Sequence, residues 1–228
     1  MSPPPDSAGR PYGRGAFLLL VGGGLSSLAW ASPALRLLDS LLPSGARALL
    51  PSQGWRIYTI GDSMPHFDRR SWRLRIDGLV ARPHELTHDE LLRLPRAEQT
   101  SDFHCVTGWT VSNVRWAGVR FHDLLALAQP LPQAHALRFV SAEHPYEDTL
   151  TLAQALRGDA MLAYEMDGRP LSRPHGAPVR VVMPAMYGYK NVKWVERIEL
   201  VARPGDGFWE KLGYDRDAWI GHSNGHGA

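Results

Sequence analysis

The sequence predicts a single α+β domain, and three observations carry that prediction. Short apolar runs with period-two alternation stand beside short helices that have their own capping signals. The two kinds of segment follow one another without the regular strand–helix–strand alternation of a parallel sheet. The chain also holds 18 Pro and 8 Trp among 228 residues, a composition suited to loops and half-buried sheets rather than a helical bundle.

Residues 1–35 read as a signal or membrane-anchor segment. After a Pro-rich start, the 21 residues between Arg14 and Arg36 carry no charge, marginally enough to span a bilayer. Arg10 and Arg14 ahead of them would hold the N-terminus on the cytoplasmic side. Ala29-Trp30-Ala31 has the form of a signal-peptidase site, so cleavage and anchoring both stand. A Gly-rich buried helix is the competing reading, against which Gly22 to Gly24 weigh, each costing a soluble helix about 1 kcal/mol relative to Ala. The expected location is therefore the periplasm or cell envelope. Residues 36–52, with leucines at helical spacing broken by Pro43, form a linker.

The folded domain is expected over 53–203. Trp72, Leu74 and Ile76 alternate with Arg73, Arg75 and Asp77, and Gly78 turns the chain: a strand. Thr87-His-Asp-Glu90 is a capping box ahead of Leu91, Leu92 and Leu94. A helix is expected over 121–128, a strand over 137–140, and another helix capped by Thr151 and Gln154. Residues 161–166 and 169–171 form a hairpin turning on Asp167-Gly168. Buried strands follow over 177–183 and 192–201. Residues 204–228 are read as a C-terminal extension, and the two His in its Gly-rich tail are assigned nothing.

Composition also excludes functions. A net charge of +2 without a Lys/Arg run argues against nucleic acid. One Cys permits no intramolecular disulfide, no CxxCH haem attachment and no cysteine cage for zinc or iron–sulfur.

The chemistry concentrates in two stretches. The first is Ser101-Asp-Phe-His-Cys105-Val-Thr-Gly-Trp109, in which a thiol sits beside His and before Gly108 rather than within an apolar run. That reads as a loop built around something. Inert buried thiol, metal ligand and nucleophile all remain open for Cys105. The second is His175-Gly-Ala-Pro-Val-Arg180-Val-Val-Met-Pro184, running into Tyr187-Gly188-Tyr189-Lys190 and Lys193-Trp194. Its backbone amides with Arg180, Lys190 and Lys193 could hold a phosphate, although a solvated basic turn explains any one lysine as well. Arg180, within an apolar strand, needs a partner.

Together the Cys-x-x-Gly-Trp loop, Trp116-Ala-Gly-Val, Gly-Ala-Pro-x-Arg and Tyr-Gly-Tyr-Lys resemble the molybdopterin-binding domain of the sulfite oxidase family, over about Trp55 to Val201. The resemblance is closest to the single-domain bacterial branch that includes protein-methionine-sulfoxide reductase catalytic subunits. It implies that family's fold of mixed β-sheets with short helices, and a molybdenum bound by one pyranopterin. It places Cys105 as the protein thiolate on the metal. Arg180, Lys190, Lys193, Gly188 and Tyr189 match cofactor-holding positions, as do His175, His144 and, in the stretch that crosses the cofactor, Tyr58. Tyr146 is implied as a catalytic or substrate-pocket residue.

Gly108, Trp109 and Thr110 stand where sulfite-oxidising members carry Asn-Arg, which disfavours sulfite and leaves an S-oxide as the expected substrate, small or protein-bound. The family's second, dimerisation domain is expected to be missing, so the chain is read as a monomer. A twin-arginine export signal is absent in its usual form. With no haem motif, electrons must come from a separate partner, a membrane haem b protein or a cytochrome. Competing functions are sulfite dehydrogenase-like oxidation, a cysteine hydrolase pairing Cys105 with His104, His122 or His144, and a non-enzymatic exported binding domain.

Overall fold

The computed structural model describes residues 54–61 and 63–222. The expected signal segment and linker lie outside the described residues. Among the described residues no helix is long and apolar enough to cross a membrane.

Among the described residues, ten strands form two sheets. In the first, β1 (Arg73–Gly78), β2 (His84–Thr87), β5 (Ala136–Ser141), β6 (Glu147–Thr151) and β10 (Val195–Val201) take the order β2-β1-β10-β5-β6. All neighbours are antiparallel except β1 and β10, which run parallel with Arg75 opposite Arg197. The second sheet contains β3 (Ala97–His104), β4 (Thr110–Arg120) and β7 (Met161–Met166). The far edge of β7 is shared by β8 (Arg169–Pro170) and β9 (Arg180–Val182).

Local chemistry explains the short elements. Helix α1 (His88–Leu92) starts on Thr87, whose hydroxyl accepts from the Glu90 amide while the Glu90 carboxylate accepts from the Thr87 amide. Helix α3 (Leu152–Ala155) repeats the box with Thr151 and Gln154. The β7–β8 turn has positive φ at both Asp167 and Gly168, as a two-residue hairpin with the twist of its strands requires. Helix α2 (Phe121–Ala128) buries Phe121, Leu124, Leu125 and Ala128, one face at helical spacing. That face joins Leu74, Ile76 and Ile198 of the first sheet and Val119, Leu162 and Val181 of the second in one core. A smaller aromatic cluster gathers Trp55, Val114, Trp116 and Met161.

Three expectations are corrected. The strand expected over 177–183 is confined to Arg180–Val182, and that expected over 192–201 begins at Val195. The region around Cys105 is a long hairpin of β3 and β4, and only 105–109 form its turn. Strand β3 reads AEQTSDFH, with half-buried positions occupied by Ala, Gln and Ser, so apolar alternation does not announce it. The chain stays packed past residue 203. Beyond it the Phe208 amide donates to the Glu147 carbonyl, Glu210 and Ala218 are buried, and Trp219 bridges Met186.

Candidate functional site

A cavity of about 270 Å³ opens between the β3–β4 turn, the segment 55–60, the loop after β5, and the stretch from Pro174 to Trp194, with Trp209 and Tyr214 closing one side. Its position follows from the hairpin. The Cys105 amide donates to the Trp109 carbonyl at 2.9 Å and the Gly108 amide to the Cys105 carbonyl at 3.0 Å, a tight turn that needs φ +89° at Gly108. Cys105 is thereby held half-buried on the cavity wall, its Sγ 3.2 Å from Thr107 Oγ1.

Arg180 supplies the charge. It is 3% exposed, yet its guanidinium makes only long hydrogen bonds, 3.3–3.4 Å, to the carbonyls of Val181, His175 and Asn191. The rings of Phe103 and Trp116 lie 5.4 and 5.3 Å from its charge centre. Among the described residues no carboxylate offsets it, and burial pulls its pKa down to about 10. Lys193 donates to the Tyr58 carbonyl at 2.6 Å and lies over Trp194. Burial first, then Arg180, bring it down to about 7, with Glu143 acting the other way. Burial, Arg180 and Lys193 lower His175 to about 3, so its ring is neutral at ordinary pH. Burial is the leading cause of all three shifts, and at Lys193 and His175 neighbouring positive charge adds to it, so an anion in the cavity would favour the charged forms of these groups. The Trp109 indole N–H is also buried without a partner.

Of the residues expected to form the site, Cys105, Tyr58, Tyr146, His175, Arg180, Gly188, Tyr189 and Lys193 do line this cavity. Two do not. His144 is turned to solvent, with Nε2 3.2 Å from Glu196. Lys190 is fully buried behind the wall, its ammonium on Asp148 and, at 2.6 Å, on Glu210. A buried ammonium must be paired, and these carboxylates from β6 and from beyond residue 203 take the charge that a phosphate was expected to meet. Tyr146 donates its hydroxyl to the Tyr189 carbonyl at 2.6 Å. Burial, then Asp148 and Glu210, hold that phenol well above its ordinary pKa, so it stays a proton donor.

Sequence reasoning missed Arg56, Glu143, Asn191, Trp209 and Tyr214 on the cavity wall. Glu143 is 6% exposed, and its carboxylate accepts from the Ile60 and Gly61 amides. Nothing in the run Ser141-Ala-Glu-His144 separates it from a surface acid. The histidines that a cysteine hydrolase needs are elsewhere: His104 pairs with Thr110, His122 with Asp123 and His144 with Glu196.

Residues 61–209 match the oxidoreductase molybdopterin binding domain family. The chain belongs to that family. It is 35% identical over 161 residues to the uncharacterized oxidoreductase YuiH of Bacillus subtilis, covering 70% of this chain and 81% of YuiH. It is 33% identical to the putative protein-methionine-sulfoxide reductase subunit YedZ1 of Azospira oryzae, over 71% of this chain and 60% of that protein. With mitochondrial sulfite oxidase of Drosophila melanogaster it shares 37% identity, over 62% of this chain but only 27% of the fly protein. Among solved structures the sulfane dehydrogenase SoxCD of Paracoccus pantotrophus superposes with a TM-score of 0.59 at 28% identity, over 62% of this chain and 41% of that one. This molybdopterin-binding oxidoreductase thus has the fold of the sulfite oxidase family, and membership implies a molybdenum–pterin cofactor. The cavity fits such a group: a thiol for a soft metal, a buried cation without a counter-charge, and a buried indole N–H without an acceptor.

Proposed function

We propose that this oxidoreductase transfers an oxygen atom at a molybdenum held by Cys105 and one pyranopterin, reducing a neutral S-oxide with electrons from a separate redox partner. The observation that carries this is the placement of the Cys105 thiol on the same cavity wall as the unbalanced charge of Arg180. When bound, the cofactor supplies a centre that exchanges one oxygen atom and two electrons. The balance is one S-oxide, two electrons and two protons to one sulfide and one water.

The protein's share is binding, orientation and proton supply. Arg180 and Lys193 would meet the negative charge of the cofactor, and the Gly188–Tyr189 stretch of the cavity wall would help to hold it. Neutral His175 adds a hydrogen-bonding edge. Tyr146, protonated and fixed on the Tyr189 carbonyl, keeps a hydroxyl at the cavity. Val106, Thr107 and Trp109 beside the thiol bring no cation, which suits a neutral substrate over an oxyanion. The relative named as a putative reductase subunit, YedZ1, supports both the substrate class and the separate electron partner, proposed as a membrane haem b protein or cytochrome. The uncharged N-terminal segment supports a periplasmic or envelope location. Sulfite oxidation stands second, favoured by Arg56 on the cavity wall.

Native mass spectrometry and assays on chain made in a pterin-competent host test the reading. One molybdenum per chain and dye-coupled S-oxide reduction are expected. Cys105→Ser should keep the pterin and lose turnover. Arg180→Ala, losing charge-assisted bonds worth about 1.5–3 kcal/mol each, should be largely empty at limiting cofactor. Sulfite oxidation without S-oxide reduction would overturn the substrate, and a metal-free wild type the function.

A further inference from the structure

Six consecutive residues, 55–60, line the cavity, and they belong to no strand or helix. Among the described residues, 54–61 make no backbone–backbone hydrogen bond. A segment of this kind must satisfy its backbone through side chains: Thr59 Oγ1 donates to the Gly61 carbonyl at 3.3 Å within it, and two residues reach it from outside. Glu143 Oε1 accepts from the amides of Ile60, at 2.9 Å, and Gly61, at 3.3 Å. Lys193 Nζ donates to the Tyr58 carbonyl at 2.6 Å. The ends are fixed differently. Trp55 is 7% exposed, with its ring 4.7 Å from Phe103 and 4.9 Å from His175. Arg173 holds the Pro65 carbonyl at 3.0 Å.

From this we infer that residues 56–61 are a movable wall of the cofactor cavity, and that Glu143 and Lys193 are the positioning residues that hold it shut. The inference rests on the proposed cofactor site and goes beyond it, because it gives these two charged groups a role on the strap in addition to any contact with the cofactor. Six successive residues of this segment bound the cavity on one side. Opening that wall breaks three side-chain hydrogen bonds and the seating of Ile57 on the aromatic cluster, and no strand ladder. Closed, the strap puts the half-exposed Tyr58 ring beside Trp109, with centroids 6.5 Å apart, at the thiol turn.

Hydrogen exchange on the full chain, with and without cofactor, reads the strap directly. Glu143→Ala should speed exchange at Ile60 and Gly61 by about tenfold or more, since charge-assisted bonds are lost. It should hasten loss of molybdenum during timed gel filtration to a similar degree, with exchange in β10 unchanged. Glu143→Gln, which keeps an acceptor oxygen, should restore most of both. Lys193→Met gives a second variant that frees the Tyr58 carbonyl, and in cofactor-free chain its effect on 56–61 cannot come through a lost cofactor contact. Unchanged strap exchange in both variants overturns the latch. Faster exchange with molybdenum kept at the wild-type rate overturns the gate and leaves the cofactor site standing. A wild type that never carries molybdenum overturns both.

Discussion

Lys190 shows how far a residue's role depends on what surrounds it. Its position in Tyr-Gly-Tyr-Lys suggests a cofactor contact, yet its ammonium is enclosed by Asp148 and Glu210. Removing one member of a buried ionic group typically costs about 3–5 kcal/mol, because the others stay buried and uncompensated. Lys190→Met should therefore lower the stability of cofactor-free chain by about that amount in urea unfolding. If it unfolds like wild type but no longer holds molybdenum, Lys190 is a cofactor ligand after all. Lys193 behaves in the opposite sense. Its folded value is depressed to about 7 from 10.5, so between those values the folded chain holds it neutral while the unfolded chain binds a proton. Its contribution makes cofactor-free chain more stable as pH rises across that window, and Lys193→Met should flatten the slope. Asp148, raised chiefly by burial, contributes the reverse slope above its ordinary 3.8, so the comparison with the variant is what isolates Lys193.

At the scale of elements, the second sheet depends on a glycine. At Gly118 the β4–β7 register shifts, and a Cβ there would stand 2.1 Å from the Leu162 carbonyl oxygen. The obstacle is backbone, which cannot rotate away. Gly118→Ala should cost about 1–3 kcal/mol or more and loosen β4 against β7, visible as faster amide exchange in both strands. Part of this architecture was legible in the sequence. Capping boxes, the Asp-Gly hairpin and the alternation of β1 are local signals, and each is found where it was expected. Strand β3 was not legible, because its side chains are polar and its pairing is dictated by β4. The site divides the same way. Cys105, Arg180 and the Gly188 loop stand out by residue type in an unsuitable setting. Glu143, Trp209 and Tyr214 reach the cavity only through tertiary packing, and no local pattern marks them.

For the molecule as a whole, the placement of β10 has a consequence in time. It lies between β1 and β5, so the innermost position of the first sheet is filled by one of the last strands to be synthesised. Until then β1 and β5 each present an unpaired edge, and pairing Arg75 with Arg197 closes most of the described chain into one loop. Such non-local topology folds slowly and exposes its intermediates. The cavity residues Gly188 to Trp194 immediately precede β10, and Trp209 and Tyr214 follow it, so the pocket is completed shortly after the sheet. Chains arrested on the ribosome before residue 195 clears the exit tunnel should remain protease-sensitive throughout β1 and β5 and retain no molybdopterin. Protection should arrive once residue 201 is free, and capture once residue 214 is. A newly made copy can therefore commit to its cofactor only after β10 and the segment that follows it have been made.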